Sequence, residues 1–199
     1  MKILSEHGRL AFGSSLPQAQ EWMAFDFNAS LFGIPEPIAL DHVAITLADL
    51  GELNCYLDQL ADAGAMVECP RIWPDAFCPG RPFPADLHMH FATAVIPASG
   101  TVVIAAPARP MDQLDRFRHE RGPNAIHHIA ALVDDPATAA AKWSEYGFRP
   151  LTPQLVDTDM SQQFLINHSK QIVELIQRHD ATTNNFSCKN LSRLRAAED

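Results

Sequence analysis

Residues 126–136, Ile126-His127-His128-Ile129-Ala130-Ala131-Leu132-Val133-Asp134-Asp135-Pro136, decide how the chain is read. A strand-length apolar run carries a histidine pair at its start and leads into an Ala-rich segment, Pro136 to Tyr146, with proline in the first turn and Gly147 at the end, which is helix chemistry. The same order occurs earlier. Asp41-His42-Val43-Ala44-Ile45 can be laid on His127-His128-Ile129-Ala130-Ala131, which sets His42 on His128 and Asp49 on Asp135. After Asp49, Leu50, Leu53, Leu57, Leu60 and Ala61 recur at helical spacing and Gly64 closes the stripe.

Strand-like runs follow each helix. Behind the first, the Pro-rich stretch Met66 to Pro84, with Trp73, Phe77, Gly80 and Phe83, reads as a long loop or an irregular edge strand. Leu87 to Ile96 and Thr101 to Ala106 then read as a hairpin. Behind the second helix come Arg149 to Val156, Gln163 to Asn167 and Gln171 to Ile176. The repeat unit is thus strand, helix and three strands, and one unit alone leaves an open curved sheet whose concave face needs a partner. The expected fold is α+β, with two tandem βαβββ modules at residues 39–108 and 125–178. A linker with a short charged helix (109–124) joins them. An N-terminal extension (1–38) precedes them and a C-terminal tail and helix (179–199) follows.

At 199 residues and 47% hydrophobic content the chain suits one domain with a real core. A net charge of -9 without a dense Lys/Arg run argues against a nucleic-acid partner. No apolar run approaches the roughly 20 residues of a transmembrane helix, so no membrane partner is expected. Cys55, Cys69, Cys78 and Cys188 are scattered without a CxxC pair, and Met1 to Phe12 lacks a signal-peptide core, which points to a reducing, cytoplasmic setting. In the extension, Pro17 to Met23 reads as a short helix. The aromatic cluster Phe25, Phe27 and Phe32 has two uses open to it, covering a sheet edge of its own chain or reaching a second subunit, so a homodimer stays open.

Glu174 is the odd residue of Ile172-Val173-Glu174-Leu175-Ile176, a carboxylate on an apolar strand that needs a cation or a metal beside it. An exposed edge position, or a pair with Arg178, is the competing explanation. His88 and His90 share a strand face, as a second metal pair, as histidines that meet substrate, or simply as a polar face. His127 falls on the face opposite His128 if the strand is regular. Cys188 shows no base or metal partner and reads as structural.

The duplication with these residues resembles the vicinal oxygen chelate (glyoxalase/bleomycin resistance/dioxygenase) superfamily over about residues 39 to 178. The resemblance implies that the two modules form a cupped mixed sheet around one divalent metal, held by His42, His128 and Glu174, with Val103 at the fourth ligand position. Two histidines and one carboxylate are also the facial set of non-heme Fe(II) oxygenases, leaving about three octahedral sites open. Ile172 to Arg178, followed by Asn184-Asn185-Phe186 and Lys189-Asn190-Leu191, looks like the tail of 4-hydroxyphenylpyruvate dioxygenases, in which a C-terminal helix closes the site. That likeness implies a substrate-facing role for Gln163, and His90 joins it as a catalytic candidate.

The expected function is therefore a metal-dependent enzyme, foremost a non-heme Fe(II) dioxygenase acting on a small 2-oxo acid or catechol-like substrate. Mn, Co, Ni or Zn would suit the alternative, a redox-neutral epimerase, isomerase or lyase that stabilises an enediolate. A non-catalytic small-molecule binding protein is the third reading.

Overall fold

The two histidine-bearing runs are strands buried along most of their length, on both faces, and they meet at the centre of one sheet. The computed structural model describes residues 3–6, 9–12, 16–18, 21, 39–97, 100–179 and 187–197. A hairpin of β1 (Ile3–Glu6) and β2 (Arg9–Phe12) comes first. Then follow β3 (Ala39–Thr46), α1 (Leu50–Asp62), β4 (Met66–Val67), β5 (Arg71–Trp73), β6 (Met89–Ile96), β7 (Gly100–Pro107) and α2 (Gln113–Arg121). The second half holds β8 (Ile126–Leu132), α3 (Pro136–Trp143), β9 (Phe148–Pro150), β10 (Leu155–Val156), β11 (Met160–Asn167), β12 (Ile172–Arg178) and α4 (Cys188–Ala197).

The main sheet runs β10-β11-β12-β8-β3-β7-β6-β4, with β5 also on β6 and β9 also on β11. β3 and β8 pair antiparallel and join the halves; β3–β7 and β8–β12 are parallel. The halves match residue for residue where it matters. Ala44 pairs with Val103 in one, and Ala130 with Glu174 in the other, each two residues beyond the strand histidine. Glu174 and Val103 are thus equivalent positions, as the repeat predicts.

Both helices after the histidine strands start on aspartate caps. Asp49 accepts from the Glu52 amide at 2.9 Å and Asp135 from the Thr138 amide at 3.0 Å. Of the predicted stripe, Leu53, Leu57 and Leu60 are buried together with Tyr56, whereas Leu50 is exposed. These side chains and Trp143 of α3 pack on Val43, Ile45, Ile129, Val173 and Leu175, the convex face of the sheet. The opposite face carries Ala44, Phe91 and Val103, and Leu114 of α2 and Leu191 of α4 pack against it.

The Pro-rich stretch combines the two expected forms, short edge strands on β6 and then a loop, and Trp73 is fully buried against Phe83, ring centroids 4.9 Å apart. Two other expectations need correction. The run 149–156 is two strands, because the chain turns at Thr152–Pro153, where Leu151 and Thr152 both donate to the Phe164 carbonyl. Strand β11 begins at Met160 rather than at Gln163. In the extension, Phe12 enters the core and its amide donates to the Asn124 carbonyl at 3.1 Å. The helix expected at residues 17–23 lies outside the described residues except for Pro17, Gln18 and Glu21, and the Phe25, Phe27 and Phe32 cluster lies wholly outside them.

Cys188, which has no partner legible in the sequence, forms a disulfide with Cys78 across 110 residues of chain, while Cys55 and Cys69 are exposed free thiols. Cys188 is structural, as expected, but through a disulfide, which a reducing setting did not lead one to expect. α4 folds back over the cup and brings its first residue onto the loop after β5, a contact that no spacing encodes. No helix among the described residues is long and apolar enough to cross a membrane.

Candidate metal centre

β3, β8 and β12 are adjacent, so their cup-facing residues converge. His42, His128 and Glu174 are 0%, 5% and 1% exposed, and each offers one ligand atom within 4.8 Å of the other two. His42 Nε2 lies 3.2 Å from Glu174 Oε2 and 3.2 Å from His128 Nε2; His128 Nε2 lies 3.5 Å from the same oxygen. Glu174 meets neither expected competitor. It is not at an exposed edge, and Arg178 instead grips Asp41 with Nε and Nη2 at 2.9 and 2.7 Å.

Each histidine is oriented by the residue before it. Asp41 Oδ1 is 2.8 Å from His42 Nδ1, and His127 Nδ1 is 2.9 Å from His128 Nδ1. A carboxylate only accepts, so a proton sits on His42 Nδ1, and once the ring is neutral its Nε2 lone pair faces the centre. A proton donated from His128 Nδ1 to His127 does the same for the second ring. Three acceptors then face one point, and Glu174 Oε2, buried, has no aligned hydrogen-bond donor. Buried acceptors without donors are costly. A divalent cation satisfies all three, with orienting partners of the kind metal-bound histidines use.

Without a metal, one proton does part of that work. Burial would lower the His42 pKa, but the hydrogen bond to Asp41 and the Glu174 carboxylate outweigh it and hold it at about 9. Burial wins at His128, lowered to about 4. Burial would raise Glu174, but the two rings outweigh it and bring it to about 2.

The cup wall includes Val103, as predicted, and is mostly apolar: Met89, Phe91, Phe164 and Leu191, with Gln162, Asn190 and Arg195 as polar points. Phe164 stands edge-on to His128, centroids 5.4 Å apart. Gln163 and His90 are not on this wall. Gln163 points to the other face of β11 and donates to the Thr152 carbonyl at 3.2 Å. The cup-facing glutamine is Gln162, because Phe164 pairs with Glu174 and Gln162 shares its parity. His90 sits between Met89 and Phe91, both on the cup wall, and so faces away.

His127 overturns the expectation in the other direction. It is buried, lines the cup and stacks near Phe117, centroids 4.8 Å apart. The register shows why: Ala44 pairs with His128 but Ile45 pairs with Ile126, so His127 is the extra residue of a bulge, which re-aims its side chain. Gln162 was within reach of the sequence through strand parity. Arg195 was not, since its place depends on how α4 docks.

No protein-family profile and no curated protein matches the sequence. Solved structures do. A mutant of 4-hydroxymandelate synthase from Streptomyces coelicolor superposes with TM-score 0.63 at 18% identity, covering 86% of this chain. The match covers only 58% of the synthase chain. Methylmalonyl-CoA epimerase from Mycobacterium tuberculosis superposes with TM-score 0.52 at 19% identity over 74% of this chain and 93% of that one. At such identities the likeness is one of fold, and with the paired halves and the cup described above it leads to one conclusion: the chain has the fold of the vicinal oxygen chelate superfamily.

Proposed function

We propose that the protein is a metal-dependent enzyme of this fold, a non-heme Fe(II) dioxygenase whose substrate is a small 2-oxo acid or a catechol-like molecule. The observation that carries it is the convergence of His42 Nε2, His128 Nε2 and Glu174 Oε2 with an apolar Val103 at the fourth equivalent position. That donor set, two imidazoles and one carboxylate, leaves a face of the coordination sphere for a chelating substrate and for oxygen.

A bound Fe(II) supplies Lewis acidity and one-electron chemistry toward dioxygen. The chain's own residues do the rest. Asp41 and His127 keep both rings in the ligating tautomer. Gln162 and Asn190 offer hydrogen bonds to polar groups of a substrate, and Phe91, Phe164 and Leu191 keep bulk water out. The redox-neutral alternative draws on the epimerase likeness. It needs a general base, and Glu174 is the one carboxylate on the cup wall among the described residues, where it is one of the three candidate metal ligands.

Purification without oxygen, metal analysis and oxygen uptake with 2-oxo acids and catechols test the reading. Stoichiometric Fe(II) with substrate-dependent oxygen uptake supports it. Tight Ni or Zn with no uptake favours the epimerase or lyase, and absence of any bound metal leaves the non-catalytic binder.

A further inference from the structure

The cup around the three ligands has only about 40 Å³ of open space. That suits a metal ion with a small chelating head or a water or two. The body of a larger substrate has to lie elsewhere. A second cavity of about 240 Å³ runs along α2, and Leu114, His127 and Arg195 line both spaces.

The second cavity is cationic. Arg116, Arg121, Lys170 and Arg195 line it against a single carboxylate, Glu120. Arg116 has Asp86 at 3.8 Å, a partly exposed and therefore weak pair. This concentration of positive charge belongs to a chain whose net charge is -9, so it is local rather than general. Arg195, 1% exposed, is fixed where the two spaces adjoin by donating Nε and Nη2 to the Leu87 carbonyl at 3.3 and 3.2 Å. Arg121 donates to the Lys170 carbonyl at 2.9 Å, which ties α2 to the β11–β12 turn and sets the two outer cations together. The floor between them, Leu151, Ile166 and Ile172, is apolar.

We propose that this cavity is the second half of the substrate site and takes an oxyanion, carboxylate or phosphate, at the end of the substrate remote from its metal-chelating group. The proposal rests on the metal-centre reading above and deepens it: the substrate is a two-ended molecule, a 2-oxo acid with an anionic tail. Arg195 meets the molecule at the boundary, and Arg121 and Lys170 hold the tail by charge-assisted hydrogen bonds.

The test is calorimetric binding to Co(II)-loaded protein of 2-oxo acids of increasing chain length that end in a methyl, a carboxylate or a phosphonate. Wild-type protein should bind the best anionic-ended member at least about tenfold more tightly than its methyl-ended counterpart. Which anion wins separates a carboxylate from a phosphate tail. In the R121Q/K170Q variant that preference should fall to within about twofold while methyl-ended affinity is unchanged, which also reports an intact fold. Equal affinity for all three ends in wild type overturns the proposal and leaves the metal-chelate reading standing. No binding of any 2-oxo acid, with an unchanged Co(II) spectrum, sinks the metal-chelate reading instead. In that case glutarate titrated into metal-free protein decides the cavity: binding lost in R121Q/K170Q retains it as an anion site, and no binding overturns it too.

Discussion

Asp41 and His127 hold equivalent places in the two halves of the sheet, each the extra residue of a β-bulge and each set against Nδ1 of the histidine that follows. Leu40 pairs with Ala131 but His42 with Ala130, so Asp41 is left over on β3 just as His127 is on β8. A regular strand would turn both side chains away from the cup. The bulges turn them back, at 2.8 and 2.9 Å from the rings they orient. The two orienters differ in charge: one is a carboxylate clamped by Arg178, the other an imidazole.

That difference makes Asp41 the more sensitive of the pair. Asp41→Asn should weaken metal binding by about 10–100-fold, the usual effect of losing a partner behind a ligating histidine. Competition against a chromophoric chelator measures it, with circular dichroism to show an unchanged fold. A wild-type affinity in this variant would mean that the bulge has no part in metal binding.

Metal affinity should depend steeply on pH. In the metal-free protein the His42 pKa is raised to about 9, so at neutral pH a proton occupies Nε2 and must leave before a metal binds. Apparent affinity should rise about tenfold per pH unit up to about pH 9 and then flatten. The metal-free fold should respond in the opposite sense. The raised His42 value adds stability that is full below 6.5, its ordinary pKa, and is lost as pH rises through about 9. Urea titrations of chelator-treated protein across that range provide the second measurement, and stability that climbs between those values would contradict the assignment.

Val103 is the mirror position of Glu174, and its substitution tests the symmetry directly. Val103→Glu should add a fourth ligand, tightening metal binding while taking a coordination site from a chelating substrate. In the metal-free protein the same buried carboxylate should cost about 1–3 kcal/mol or more. Unchanged metal affinity would show that residue 103 does not reach the centre.

Native thiol titration should count two free cysteines, Cys55 and Cys69, and four after reduction and unfolding. Cys188→Ser opens a loop closed across 110 residues, for which chain entropy gives an upper value of about 4–5 kcal/mol. A lower melting temperature with α4 more open to proteolysis is the expected result. Four reactive thiols in the untreated protein would remove the tether.

Much of this site was legible in order along the chain. A histidine at the same depth of two similar strands, an aspartate cap at the same distance beyond each, and one carboxylate in an apolar final strand are local patterns, and local patterns survive in sequence. They determined the duplicated fold and the trio His42, His128 and Glu174. Where the reading failed, the deciding quantity was a register or a docking. Choosing Gln163 over Gln162 is an error of one residue, and one residue inverts the face of a strand. His90 failed for the same reason beside Met89 and Phe91. His127 was misplaced because a bulge exists only between two strands. Tertiary structure alone placed Arg195 over the cup, bonded Cys78 to Cys188 and set Asp41 between His42 and Arg178. Strand and helix periodicity is written within a few neighbouring residues, whereas register, bulges and helix docking are settled by packing between segments far apart in the chain, and no single segment encodes them.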